Sequence, residues 1–158
     1  MKAKYLLVSL LMVALVMGGT GYSVSAGSGD KVTGGGRFNS IVWGPYQGDK
    51  VSFNLQTYLL DSDAADGKFQ LINHNAGTKL SGSFSSYSVG ITGRLSLTGT
   101  CSIDGGASQS LYVEILESAE PFFDTIQIWI DKTPSPQNMD YKGQVGKGNI
   151  QWHKAKVK

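Results

Sequence analysis

Two histidines and three carboxylates are the side chains of this 158-residue sequence that could serve a reaction or bind a metal ion. His74 and His153 each lie at the end of a strand-like run, and Glu117, Glu120 and Asp124 flank one long loop. Two imidazoles and a carboxylate could bind zinc, or iron if coordination positions stay open. A His–Glu pair could instead act as general acid and base. The alternative is that both histidines simply hydrogen-bond to backbone at strand ends.

Aromatic side chains at loops and at outward strand positions form a second candidate site, for a ligand. These residues are Trp43, Tyr46, Phe122, Phe123 and Trp129. Exposed aromatic rings on a β domain can stack on sugar rings, while Asn and Gln neighbours bond the hydroxyl groups. The sequence therefore predicts a carbohydrate or another cell-envelope component as a partner. The alternative is that these rings pack against loops or cover one end of the domain.

The first 26 residues have the pattern of a secretory signal. Two lysines precede the apolar stretch 5–17, which is shorter than a membrane-spanning helix, and small residues follow up to Ala26. We expect cleavage after Ala26, leaving residues 27–158 as one domain without a membrane span. The predicted location is extracellular or periplasmic.

Charge and cysteine content exclude several classes of protein. Beyond residue 26 the chain has 12 of its 14 Lys and Arg residues against 12 Asp and Glu, so nucleic acid is not an expected partner. Cys101 is the single cysteine, which rules out an intramolecular disulfide, and a packed core must supply the stability. The sequence contains no recognisable cofactor motif, and no cofactor is expected.

Glycine content and period-two alternation predict an all-β domain. After residue 26 the chain contains 18 of its 21 glycines, and no stretch has helical periodicity. The clearest element is a hairpin over Ser108–Asp131, in which apolar residues alternate with polar or amphipathic ones. Its predicted inner residues are Leu111, Val113, Ile115, Ile126, Ile128 and Ile130. The whole pattern indicates an antiparallel β-barrel or β-sandwich of about seven to nine short strands.

The two ends of the domain are predicted to be neighbours in the sheet. Free edge strands invite aggregation, and pairing the first strand with the last removes two edges. The first run, Lys31–Phe38, includes the three glycines Gly34–Gly36, which permit close approach of another strand. We expect the last run, Gly148–His153, to pair there, with Trp152 packing over the glycines.

Two end motifs carry a resemblance to a known family. The segments K-V-T-G-G-G at 31–36 and G-K-G-N-I-Q-W-H at 146–153 resemble the ends of the small secreted prokaryotic domains labelled post-COAP. Residues 67–74 and 123–128 are similar to two middle segments of that family. Asn73 and Trp152 replace the Asp and Val that the family tends to have. The resemblance implies a compact secreted β domain and no established reaction.

These observations favour a secreted, non-catalytic binding or surface-interaction module. One alternative is an extracytoplasmic enzyme with a His/carboxylate site. The other is a structural surface protein that self-assembles through the edges of its sheet. The sequence leaves the oligomeric state open.

Overall fold

The computed structural model describes residues 29–42, 44–90, 93–118 and 124–155, and these residues form a single antiparallel sheet of nine strands. The strands are β1 (Asp30–Asn39), β2 (Lys50–Leu59), β3 (Ala64–Asn73), β4 (Thr78–Val89), β5 (Leu95–Ile103), β6 (Gln109–Leu116), β7 (Thr125–Ile130), β8 (Tyr141–Gln144) and β9 (Lys147–His153). Their order in the sheet is β8-β7-β6-β5-β4-β3-β2-β1-β9, and the sheet curls into a half-barrel. A 3₁₀ turn at Asp61–Asp63 joins β2 to β3. The predicted all-β antiparallel fold is confirmed.

The concave side of the sheet holds the hydrophobic core. The hairpin predicted over Ser108–Asp131 is formed by β6 and β7, as expected from its alternation. Its inner residues face one another in the pairs Leu111–Ile130, Val113–Ile128 and Ile115–Ile126, and all six are buried. The period of two thus places one face of each strand in the core and leaves the other outside.

The first and last strands pair, as the sequence predicts. β1 and β9 are antiparallel over seven residue pairs, from Lys31–His153 to Arg37–Lys147. The expected position of Trp152 over the glycines is wrong, because the register places it opposite Val32. Its indole N–H donates to Asp30 Oδ2 at 2.8 Å.

Two of the three consecutive glycines are required by packing. Gly34 and Gly36 face inward, and a Cβ at Gly34 would lie 2.9 Å from Ile150 Cγ1. A Cβ at Gly36 would collide with the carbonyl oxygen of Lys147. Gly35 faces outward, where the nearest atom to an added Cβ is the Phe53 oxygen at 3.5 Å, an ordinary contact. Packing therefore explains Gly34 and Gly36 but not Gly35.

This difference predicts opposite effects of two adjacent substitutions. Gly34→Ala should lower the free energy of unfolding by about 1–3 kcal/mol, since the methyl group overpacks the contact with Ile150. Gly35→Ala should be neutral or stabilise by up to about 1 kcal/mol, because alanine loses less backbone entropy on folding. Urea denaturation of both variants measures the difference. Equal losses of stability in the two variants would contradict the assignment of Gly34 to the inner face and Gly35 to the outer face.

Contacts outside the strand ladders join the two edges of the curled sheet. The N–H of Gly146 donates to Arg37 O at 3.0 Å, and that of Ile41 donates to Lys142 O at 2.8 Å. At the start of β7, Asp124 Oδ2 accepts the buried N–H of Ile150 at 2.6 Å. β8 and the start of β7 are thereby tied to β1 and β9, although these strands lie at opposite ends of the sheet order.

The predicted signal segment, 1–26, lies outside the described residues. Within the ranges given above, no helix has the length and apolar character that crossing a membrane requires.

Candidate functional site

The described members of the predicted aromatic set belong to the packed structure. Tyr46 stacks on Tyr141 with ring centroids 4.8 Å apart and packs against the core. Trp129 has the outward phase of its strand but is 3% exposed, and its indole N–H donates to Ser135 O at 2.9 Å. The segment after β7 folds back over this part of the outer face and covers the ring. Trp43, Phe122 and Phe123 lie outside the described residues.

The two histidines lie level with opposite ends of β2, His74 directly after β3 and His153 at the end of β9. His74 is beside Lys50, the first residue of β2, and its Nε2 is 2.9 Å from the hydroxyl of Ser52. His153 is level with Tyr58 near the other end of β2. Tyr58 is eight residues from Lys50, which is about 26 Å along a β-strand. The fold therefore does not bring the two histidines into one site.

Part of the predicted carboxylate set gathers near the start of β7. Partial burial raises the pKa of Glu117, and a backbone hydrogen bond from Trp152 opposes the rise. The nearby carboxylate of Asp124 raises the pKa of Glu117 further, while His153 lowers it. Both oxygens of Asp124 accept backbone N–H groups, from Ser118 and Ile150, which is a structural role. Glu120 lies outside the described residues, and among those described no group of three His, Cys, Asp or Glu could hold a metal ion.

A surface that the sequence analysis did not select carries a dense set of amide groups. It is the outer side of β9, β1, β2 and β3, called here the amide face. Its amide residues are Asn54, Gln56, Gln70, Asn149 and Gln151. All five are exposed, and in the described part of the chain their side chains have no hydrogen-bond partner within the protein. The amide face thus offers free donors and acceptors to a ligand.

Strand register sets the spacing of these amide groups. Asn54 is paired with Gln70, and Gly35 separates Asn54 from Asn149 across β1. Neighbouring strands are about 4.8 Å apart, and successive outward residues of one strand about 6.7 Å. These distances are of the order of one pyranose unit. Since Gly35 has no side chain, a flat ring could reach the backbone between the two Asn side chains.

A groove of about 360 Å³ lies at the β2–β3 side of the amide face. The ring of Tyr58 borders it and is 42% exposed, with Lys31 Nζ 5.2 Å from the ring centroid. Asp66 and Lys68 also line the groove, opposite Tyr58 and Gln56 in the register. Counting Lys31, two ammonium groups and one carboxylate border the groove, among side chains that are otherwise polar and uncharged, so the groove suits a polar ligand.

One buried polar residue explains why sequence reasoning missed Tyr58. The alternation of β2 is inward at Val51, Phe53 and Leu55, and it continues inward at Thr57, which is 0% exposed. A polar residue at an inner position hides the period of two, so the phase is lost before Tyr58. The hydroxyl of Thr57 is satisfied by donating to Asp66 O at 3.4 Å. Counting strictly in twos from Val51 would have placed Tyr58 on the outer face.

Comparison with known proteins adds no relative. No family model, curated protein or solved structure matches this chain. The resemblance to the post-COAP domains stays a prediction, and the function must be argued from the residues of the chain itself.

Proposed function

We propose that this protein is a secreted, non-catalytic carbohydrate-binding module whose amide face and Tyr58 groove contact a glycan of the cell envelope. One observation carries the proposal: five amide side chains without a protein partner share one outer sheet face with an exposed aromatic ring, Tyr58, which follows Gln56 on β2.

The chemistry of these groups matches that of a sugar. Each amide has two N–H donors and a carbonyl acceptor, which is the combination that sugar hydroxyls can satisfy. The apolar face of Tyr58 can stack against the C–H groups of a ring. Because the groups stand on paired strands, their positions are already set and binding orders little backbone.

The enzyme alternative has weaker support. It depends on a histidine and a carboxylate acting together. His153 and Asp124 lie near Glu117, but Asp124 is bonded to two backbone N–H groups. His74 is offset from this region by about 26 Å along β2. Each histidine is bonded to a hydroxyl of a neighbouring strand, Ser52 or Thr33. Self-assembly through sheet edges would appear as oligomers in sedimentation velocity of the purified protein.

Replacing Tyr58 by Ala should weaken glycan binding about tenfold or more, because the stacking surface is lost. Binding is measured by affinity electrophoresis in gels containing neutral envelope polysaccharides. Tyr58→Phe should retain most of the affinity, because the ring is kept.

A matched control is Thr98→Ala, which alters an exposed residue of β5 outside both the groove and the amide face. This variant should bind as the unmodified protein does. If Tyr58→Ala migrates through every gel as the unmodified protein does, the groove is not the binding site.

A further inference from the structure

A cleft of about 750 Å³ opens at the end of the half-barrel where β1 ends and β2 and β9 begin. We call it the rim cleft. Four of its lining residues are basic, namely Arg37, Lys50, His74 and Lys147, and none of the described lining residues is acidic. The same wall includes the apolar residues Phe38 and Val51.

The cationic side chains of the rim cleft form no salt bridge within the described residues; the nearby carboxylate of Asp49 instead accepts a hydrogen bond from the Asn73 amide. The three salt bridges among the described residues are formed by other cations, Arg94, Lys132 and Lys154. Arg37 and Lys147 are direct cross-strand partners, and like charges in that position are destabilising. Three unpaired cations around one apolar-walled cleft form a field that attracts and holds an anion.

The rim cleft is continuous with the amide face. Arg37 and Lys147 occupy the outward positions next to Gly35 and Asn149 on their strands, about 6.7 Å further along. A ligand lying on the amide face would therefore extend into the rim cleft. An arginine fork binds a carboxylate or a phosphate through two parallel hydrogen bonds.

We propose that the rim cleft binds an anionic substituent, a carboxylate or a phosphate ester, of the glycan whose neutral part lies on the amide face. The inference rests on the proposed carbohydrate binding and narrows its ligand to an acidic polysaccharide. The basic groups recognise the charge, and the amide groups recognise the sugar backbone.

The test compares two probes with the same sugar backbone, one anionic and one neutral. Trigalacturonate and its methyl ester are titrated into the ¹⁵N-labelled protein at low salt. We expect trigalacturonate to bind about tenfold tighter than the ester and to shift amide signals of residues 37–39, 50–51 and 144–147. In the triple variant Arg37→Gln/Lys50→Gln/Lys147→Gln this preference should vanish while affinity for the ester stays unchanged.

The control variant Lys79→Gln removes an exposed lysine of β4 that does not line the rim cleft, and it should keep the preference. A third probe, a glycerol phosphate oligomer, carries phosphate groups in place of carboxylates. The anion that the rim cleft prefers should bind more tightly at low salt and should lose more of that affinity as salt is added. Lack of shifts at the rim cleft with both charged probes would overturn the inference. So would an acid preference that survives in the triple variant.

The same titration separates this inference from the proposed function. Binding of the ester without any preference for the acid would retain carbohydrate binding and overturn the rim cleft as an anion site. Shifts at the rim cleft with the acid, but no binding of the ester, would support the anion site and overturn neutral sugar recognition on the amide face.

Discussion

A chain that ends at Gly146, before β9, is expected to lose cooperative unfolding. β9 pairs with β1 over seven residue pairs, and its buried Ile150 fills the space above Gly34. Its removal also takes donors away from two buried carboxylates, Asp30 and Asp124, and an uncompensated buried charge costs several kcal/mol. These losses are of the order of the whole stability of a domain, about 5–15 kcal/mol.

Circular dichroism during heating tests this expectation. The matched control is a chain that ends at Ala155, because the backbone N–H of that residue still donates to Asp30 Oδ1 at 2.8 Å. This control should melt in one sharp transition, like the full chain. A protein truncated at Gly146 that melts sharply near the same temperature would show that β9 is dispensable.

The Asp124→Ala substitution is expected to lower the free energy of unfolding by about 3–5 kcal/mol, as two hydrogen bonds to a charged group are lost. Asp124 is 9% exposed, and its two oxygens accept the N–H groups of Ser118 at 2.9 Å and Ile150 at 2.6 Å. Alanine would leave the Ile150 N–H buried without an acceptor. The tie between β7 and β9 would be broken.

Urea denaturation measures the loss as a shift of the midpoint at constant slope. Asp124→Asn is the matched control, since its amide oxygen can still accept one of the two bonds, and its loss should be smaller. A loss below about 1 kcal/mol for Asp124→Ala would mean that the carboxylate contributes no more than an ordinary neutral hydrogen bond.

Both predictions bear on the proposed binding surface, because β9 supplies part of it. Asn149 and Gln151 belong to the amide face, and Lys147 to the rim cleft. Any change that detaches β9 from β1 should therefore abolish binding together with stability. Tyr58→Ala differs in that it should remove binding alone.

Local alternation was enough to predict the strands and their inner faces. In β6 and β7 every inward residue except Gln109, at the start of β6, is β-branched or leucine, so the buried face follows from counting in twos. The pairing of β1 with β9 was also predictable, since the glycine run admits a close neighbour. The expected removal of both sheet edges was wrong, because β8 and β9 are the edge strands. The correctly predicted properties depend on residues near one another in the chain.

The sequence by itself therefore determined the fold class, the buried faces and the meeting of the two ends, whereas the site depended on tertiary structure. Trp129 has an outward phase, yet the following loop covers it, and no local pattern records that contact. Arg37, Lys50 and Lys147 come from separate strands and meet because the register aligns their ends. Alternation specifies which side of the sheet a residue occupies. Which outward residues become neighbours, and which remain exposed, is decided by long-range register and by loop packing.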